Sequence, residues 1–325
     1  MDALTPPAVL TVWVILTPNV LMLDYAGPTE ALRMARDLGA ALVLHTCSPV
    51  TTISTSLGPG LNGLEPLPKV LPPHSLVLVV GTSDEAKDYQ LPEAQEVVQW
   101  LRIVPAADTR LASICSGALL LALAGRLAGR SCTTHHSLVE FLQDLDPTAQ
   151  VHPDRIFVDD GNVLTSAGIT TGIDLALYIL EQHAGPELAA RVARRLVMYQ
   201  RRSPQDPQMS PWLAHRNHMH PAVHRAQDTI AHDPAHPWTL DELARAACVS
   251  PRHLSRLFLA HARIGAMVYV QQLRIARAKQ MLTTMPDWSI ERVADHCGFA
   301  SARDFRRVWR RFEPGTPMQG RHPSG

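Results

Sequence analysis

Long apolar runs are missing from this 325-residue chain, and with them the roughly 20 consecutive apolar residues that a membrane-spanning helix needs. Its start also lacks the basic-then-apolar pattern of a secretory signal, so the expected setting is the cytoplasm, with no membrane partner. Cysteine is sparse. Cys47, Cys115, Cys132, Cys248 and Cys297 are odd in number and scattered, which excludes a disulfide framework and paired zinc-ligand spacing and fits a reduced compartment.

Net charge is also absent, but the zero sum conceals an asymmetry. Residues 1–200 hold 12 lysines and arginines against 20 aspartates and glutamates, a balance of −8, while residues 201–325 hold 18 against 10, a balance of +8. Positive charge gathered in one segment supplies the counterion release that drives non-specific DNA affinity. With 46% hydrophobic residues, the chain has apolar material for two domains with separate cores.

The basic segment carries one pattern twice. In residues 289–317, SIERVADHCGFASARDFRRVWRRFEPGTP, Ser289 can cap a helix bearing Ile290, Val293 and Ala294 on one face. Cys297, Gly298 and Phe299 break it, and Ser301 caps a second helix. There Phe305, Val308, Trp309 and Phe312 make an apolar stripe and leave Arg303, Arg306, Arg307 and Arg310 on the other side. In the earlier copy, from Trp238, Thr239 and Glu242 form a capping box, and Ser250 caps a helix with Pro251 at its first position. Leu254, Leu257 and Phe258 face inward; Arg252, His253, Ser255 and Arg256 face out. A helix over residues 266–282, roughly 25 Å long, separates the copies. Two arginine-faced helices on a rigid spacer suit successive major grooves about 34 Å apart, where guanidinium groups read guanine edges or clamp phosphates.

Residues 222–321 therefore resemble the AraC/XylS-type DNA-binding domain, in the stretches TLDELARAACVSPRHLSRLF, LRIARAKQML and the 289–317 segment. The resemblance implies paired helix-turn-helix units binding a double-stranded operator, with Arg252, Ser255, Arg256, Arg303, Arg306, Arg307 and Arg310 as the DNA-facing side chains. Three departures touch turns and packing: Cys248 stands where the first turn usually has glycine, Gly265-Ala266-Met267 lacks the usual proline, and Gly320-Arg321 lacks the usual tyrosine.

The acidic segment alternates strand-like and helix-like stretches: an apolar run over 9–16, a helix over 27–38, strands over 41–47 and 76–80, a helix over 93–104 and a strand over 110–114. Such alternation predicts an α/β fold, a doubly wound, mostly parallel sheet covered on both faces, with ligands beyond the carboxyl ends of its strands. At one such end the stretch LASICSGALLL runs from strand directly into helix with Cys115 at the bend. This nucleophile-elbow pattern presents a side chain beside backbone amides and a helix N-terminus, which lower a thiol's pKa and suit an anion or oxyanion. A buried, inert cysteine is the plainer alternative.

Together with VLMLDYAGPTEAL, GRSCTTHHSLVEFL and VDDGNVLTSAGITTGIDLAL, the elbow resembles the ThiJ/PfpI branch of the class I glutamine amidotransferase-like fold. The whole chain then resembles GlxA-type transcriptional regulators. By motif, the resemblance places Asp24, Gly81, Cys115, Ser116 and His135 around a small-molecule effector site. If the domain were instead a cysteine-dependent hydrolase or hydratase with a DNA-tethering tail, Cys115, His135 and Asp24 would be its catalytic groups. His136 stands where relatives often have tryptophan. The expected organisation is a sensing and dimerising domain over 8–200, a mobile linker over 201–221, rich in proline and polar residues, and a DNA-binding domain over 222–321. The linker histidines His215, His218 and His220, with His224, lack a completing cysteine or carboxylate, so neither metal nor cofactor is expected. A non-enzymatic homodimeric regulator is the expected function.

Overall fold

The computed structural model describes residues 9–84, 87–106, 109–198, 202, 204, 206–313 and 315–319. The expected boundaries at 8, 200, 201 and 321, the linker residues 203 and 205, and the Gly320-Arg321 departure lie outside them. The chain divides into two compact units, Met1–Gln208 and Met209–Gly325. No described helix is long and apolar enough to cross a membrane.

The first unit is built on a six-stranded sheet. Its strands are β1 Leu10–Ile15, β2 Leu42–Cys47, β3 Ser75–Val79, β4 Arg110–Ile114, β5 Phe157–Asp160 and β6 Val163–Ser166, in the order β2-β1-β3-β4-β6-β5. Every pairing is parallel except that of β5 with β6. Alternation along the central strands explains why both faces are covered. Val12, Val14, Leu76 and Leu78 pack with α1 (Met22–Asp37), α5 (Thr171–Ala184) and α6 (Pro186–Arg195), while Ile15, Val77 and Val79 pack with α2 (Pro92–Ile103), α3 (Gly117–Leu123) and α4 (Val139–Leu145). Strand order reverses between β1 and β3, so the carboxyl ends of β1, β3 and β4 meet at one edge of the sheet, where such folds hold ligands.

One boundary departs from expectation. The helix read as 27–38 starts five residues earlier, at Met22, and takes Pro28 into its interior. Proline there removes the hydrogen bond that residue 28 would give to the carbonyl of Asp24, but the buried face of Ala31, Leu32 and Ala35 holds the helix to the sheet.

The second unit is helical: α7 Pro221–His232, α8 Leu240–Ala246, α9 Pro251–Leu257, α10 Ala266–Thr284, α11 Ile290–His296 and α12 Ala302–Phe312. It has two cores, and α10 belongs to both. Ala266, Tyr269, Val270 and Leu273 join the first with α7, α8 and α9, and Ile275, Ala278 and Leu282 join the second with α11 and α12. A single 19-residue helix thus fixes one helix-turn-helix module against the other. The segment from Met209 to α7, read in sequence as mobile linker, is folded onto the first core: Trp212 packs there, His215 Nδ1 lies 2.9 Å from the Ala262 carbonyl, and Gln227 donates to the His215 carbonyl at 2.8 Å.

Candidate functional site: a cysteine elbow and an arginine-faced pair of helices

At the end of β4 the chain turns within one residue. Cys115 sits at φ 56°, a left-handed conformation that costs a side-chain-bearing residue about 1–2 kcal/mol, and α3 begins two residues later. Neighbours enforce the turn. The Cys115 amide donates to the Ser166 carbonyl at 3.0 Å, its carbonyl accepts from the Thr134 hydroxyl at 3.0 Å, and the Thr82 amide donates to Ser116 Oγ at 2.8 Å. Strained backbone held by several independent contacts is common where a side chain must be aimed.

Asp24, Gly81, Cys115 and Ser116 are brought together. A Cβ placed on Gly81 would lie 2.8 Å from Ser116 Oγ, 2.9 Å from Cys115 Cβ and 3.0 Å from Asp24 Oδ2, so the three side chains converge on the space that glycine leaves open. Asp24 is wholly buried and accepts the Ile169 amide at 2.5 Å. Ile169 and Gly168 both have positive φ, 54° and 84°, and a Cβ on Gly168 would lie 2.8 Å from Cys115 Sγ. This second strained loop covers the thiol. Cys115 is only 1% exposed, and the adjoining cavity, lined by Thr17, Thr82, Tyr89 and Ser116 among others, has about 10 Å³ of free space, room for one water. The elbow is thus closed over in this conformation, with the strained turn of the elbow pattern and the burial of the plainer alternative.

His135 is placed differently. Its Nδ1 lies 2.7 Å from Ser137 Oγ and its ring packs on His136 at 4.2 Å between centroids. Burial, then the neighbouring His136, push its pKa below the usual histidine range, so it is neutral near pH 7. Sequence reasoning missed Thr134, Gly168 and Ile169. The TTH and AGITTG segments that carry them were visible, but only tertiary contacts show that their hydroxyl, missing side chain and amide shape the elbow.

The second site lies on α9 and α12. Ser250 Oγ accepts the His253 amide at 3.3 Å, Ser289 Oγ that of Arg292 at 3.2 Å and Ser301 Oγ that of Asp304 at 3.1 Å, and the Thr239 and Glu242 capping box is complete. Leu254, Leu257, Phe305, Val308 and Trp309 are buried; Arg252, Arg256, Arg303, Arg306, Arg307 and Arg310 are exposed, and Ser255 is half-buried. Arg307 bonds Asp304 at 2.5 Å and Arg306 reaches Glu291 at 3.3 Å, whereas Arg303 and Arg310 form no ion pair among the described residues. Arg306 and Arg310 also line a groove of about 260 Å³ with Ile290, Thr316 and Pro317. The exposed guanidinium row can meet a polyanion without breaking any core contact. Among the described residues, no group of three or more histidine, cysteine or acidic side chains is placed to hold a metal ion.

Comparison with known proteins matches each of the two units to a family. The DJ-1/PfpI family matches residues 11–182 and a helix-turn-helix domain matches residues 243–322. The chain is 30% identical to the HTH-type transcriptional regulator CdhR of Pseudomonas aeruginosa, over 95% of this chain and 90% of that protein. It is 28% identical to the HTH-type transcriptional regulator GlxA of Rhizobium meliloti, over 96% and 95%. Isonitrile hydratase of Pseudomonas putida is 33% identical over 58% of this chain and 78% of its own length. Among solved structures, a ThiJ/PfpI family protein from Pseudomonas syringae superposes with a TM-score of 0.52 at 18% identity, over 76% of this chain and 95% of that one.

Proposed function

Because the chain belongs to the DJ-1/PfpI family and also carries an AraC-type helix-turn-helix domain, we propose that it is a sequence-specific DNA-binding transcriptional regulator whose first unit senses a small molecule at the Cys115 elbow. The observation that carries the reading is the pair of helix-turn-helix modules fixed on one helix, α10, with the arginines of α9 and α12 exposed. Two modules on a rigid spacer suit adjacent major-groove segments, and relatives named as HTH-type transcriptional regulators align over nearly the whole chain. Arg252, Ser255, Arg256, Arg303 and Arg307 are the proposed groove contacts, with Arg306 and Arg310 nearer phosphates. The effector lies among Asp24, Gly81, Cys115, Ser116 and His135. We place the protein in the cytoplasm with its operator, and as a homodimer pairing through its first unit. We propose the two domains read from the sequence, 8–200 and 222–321, with the 201–221 stretch between them bonded to the first unit at Arg202, Asp206 and Gln208 and folded onto the second from Met209.

One observation favours a second reading: the strained cysteine elbow beside a buried aspartate occurs in a unit similar to isonitrile hydratase. In that reading Cys115 is the nucleophile, with Asp24 and His135 as its acid–base partners. The covered thiol would have to open for an effector as for a substrate, so the DNA-binding unit and the relatives named as transcriptional regulators favour sensing, and no catalytic residue is assigned. The test is selection of bound sequences from a random duplex pool by the full-length protein, followed by gel-shift titration of the selected site at fixed salt. Enrichment of a discrete motif is expected, with each mismatch costing about 1–3 kcal/mol. Recovery of no motif, together with turnover of an isonitrile, amide or nitrile, moves the assignment to the enzyme.

A further inference from the structure

The segment that leaves the first unit is tied to both walls of the cysteine elbow. Its near anchor is Arg202. The guanidinium grips the buried carboxylate of Asp174 through Nε at 3.0 Å and Nη2 at 2.5 Å, and Nη2 also reaches Thr170 Oγ1 at 2.9 Å. Thr170 directly follows Ile169, whose amide holds Asp24 beside Cys115. The far anchor is residues 206–208. The Ile156 amide donates to the Asp206 carbonyl at 3.2 Å, and the Gln208 amide donates to Asp154 Oδ1 at 3.0 Å. Gln208 Nε2 donates to the Thr134 carbonyl at 2.9 Å, and the hydroxyl of the same threonine bonds the Cys115 carbonyl at 3.0 Å.

A passive tether to a DNA-binding unit needs none of these bonds. Here the residues that touch Cys115 from one side, Thr134, and from the other, the 168–170 loop, are those that the exit segment holds. We infer that Arg202 and Gln208 form a strap whose attachment depends on the conformation of the elbow. A ligand or bulky group at Cys115 that displaces Thr134 or the 168–170 loop takes the Thr134 carbonyl from Gln208 or Thr170 Oγ1 from Arg202, and so weakens the strap and loosens the exit segment, although Asp174 still holds Arg202 and the Thr133 hydroxyl and Pro153 carbonyl still face Gln208. On the sensor reading given above, that release is how the state of the elbow reaches the second unit. Gln208 and Arg202 are positioning residues in this scheme: neither touches the proposed effector. Linkage makes the connection reciprocal: attachment of the strap favours the closed elbow by the same free energy as the closed elbow favours attachment, so loss of the strap loosens the elbow by that coupling.

Reciprocity allows a test in the full-length protein with no effector in hand. In a Cys248→Ser background, which removes the exposed thiol, Gln208→Ala and Arg202→Gln are expected to raise the rate of iodoacetamide alkylation at Cys115 at least tenfold, read by peptide mass mapping. In the opposite direction, Cys115→Trp overfills the space under Gly168 and is expected to raise tryptic cleavage after Arg202 at least tenfold. Cys115→Leu replaces it if the tryptophan variant does not fold. Arg33→Gln, on the exposed face of α1, controls for general loosening and is expected to change neither rate. Alkylation unchanged in both strap variants, cleavage unchanged in a folded Cys115 variant, or an equal response in Arg33→Gln overturns the strap. If both rates respond as expected but operator affinity in a gel shift is the same for all variants, the strap stands and the sensor reading fails instead.

Discussion

In the first helix-turn-helix module the residue that reverses the chain between α8 and α9 is Cys248, at φ 56° and exposed; in the second, between α11 and α12, it is Gly298, at φ 77°. A Cβ on Gly298 would lie 2.0 Å from the carbonyl oxygen of Ala235, in the loop ahead of α8. Two turns of one shape therefore make different demands. The left-handed conformation alone tolerates a cysteine at modest cost, so the glycine in the second turn is required by close backbone approach. The Ala235 loop is also held by Arg274 of α10, which donates to the Pro234 and His236 carbonyls at 2.8 and 2.7 Å. The second turn is thus docked on a loop of the first module, and the first turn is open.

Substitution at Gly298 should give the largest effect. Gly298→Ala places a methyl inside the van der Waals radius of a backbone oxygen and adds left-handed strain, so a loss of about 3 kcal/mol or more is expected in denaturant unfolding of the full-length protein. Operator affinity should fall with it, because α12 loses its fixed position relative to α9. A loss below about 1 kcal/mol would show that the Ala235 loop yields, and would remove the proposed docking.

Next in size are the arginines, where the two modules can be compared by function. Arg303→Ala should cost about 1–3 kcal/mol of operator affinity and relax preference at one base pair, with Arg256→Ala acting likewise at a separate position. Arg310→Ala should weaken all sequences alike and make the slope of log affinity against log salt shallower by about one. Arg307 is already engaged by Asp304, so Asp304→Ala, which frees it, should raise non-specific affinity. Gel-shift titrations over a salt series, with specific and scrambled duplexes, read all four.

What could be read from sequence divides along the same line as the two sites. The helix-turn-helix modules are local objects. Thr239, Ser250, Ser289 and Ser301 cap within three residues of themselves, and the stripe of Phe305, Val308 and Trp309 repeats with the helix, so caps, buried faces and exposed arginines were all legible. The parallel sheet was legible too, because its buried strands are continuous apolar runs. At the elbow the sequence marked Cys115, but the groups that shape it come from far along the chain: Asp24 meets Ile169 across 145 residues, and Gln208 meets Thr134 across 74. No period or motif encodes such pairings. The same limit explains the histidines ahead of α7. Their prolines and polarity read as linker, whereas His218 packs on His224 of α7, and His215 and His220 reach the turn after α9 at Ala262 and His261.

His218 and His220 make the first module the acid-sensitive one. The rings of His218 and His224 lie 4.4 Å apart, and those of His220 and His261 lie 4.5 Å apart. Burial, then the neighbouring His224 and His261, lower the pKa of His218; burial, then His261, His253 and Arg225, lower that of His220. A base whose folded-state pKa lies below its unfolded value binds fewer protons folded than unfolded, so stability rises with pH across that window. It should therefore decline as pH falls below about 6.5, the unfolded value for histidine, and level off below the folded values. Thermal unfolding between pH 8 and 5 should show this decline, and a His218→Gln, His220→Asn double variant should flatten it.

The smallest effect is expected at Cys248, and its sign sharpens the comparison. Glycine there removes left-handed strain worth about 1–2 kcal/mol but adds unfolded-state freedom that takes back about 0.4–1 kcal/mol. Since Cys248 is exposed, no buried packing is lost. Cys248→Gly should then stabilise the protein by roughly 0.5–1 kcal/mol, with operator affinity unchanged. The reciprocal change, Gly298→Cys, should reproduce or exceed the loss of Gly298→Ala, because the sulfur adds bulk where even a methyl does not fit. Equal and opposite effects of the two exchanges would mean that backbone strain alone distinguishes the turns. A gain of under about 1 kcal/mol at the first turn against a loss of several at the second locates the difference in the contact with Ala235, and so in how one module is seated on the other.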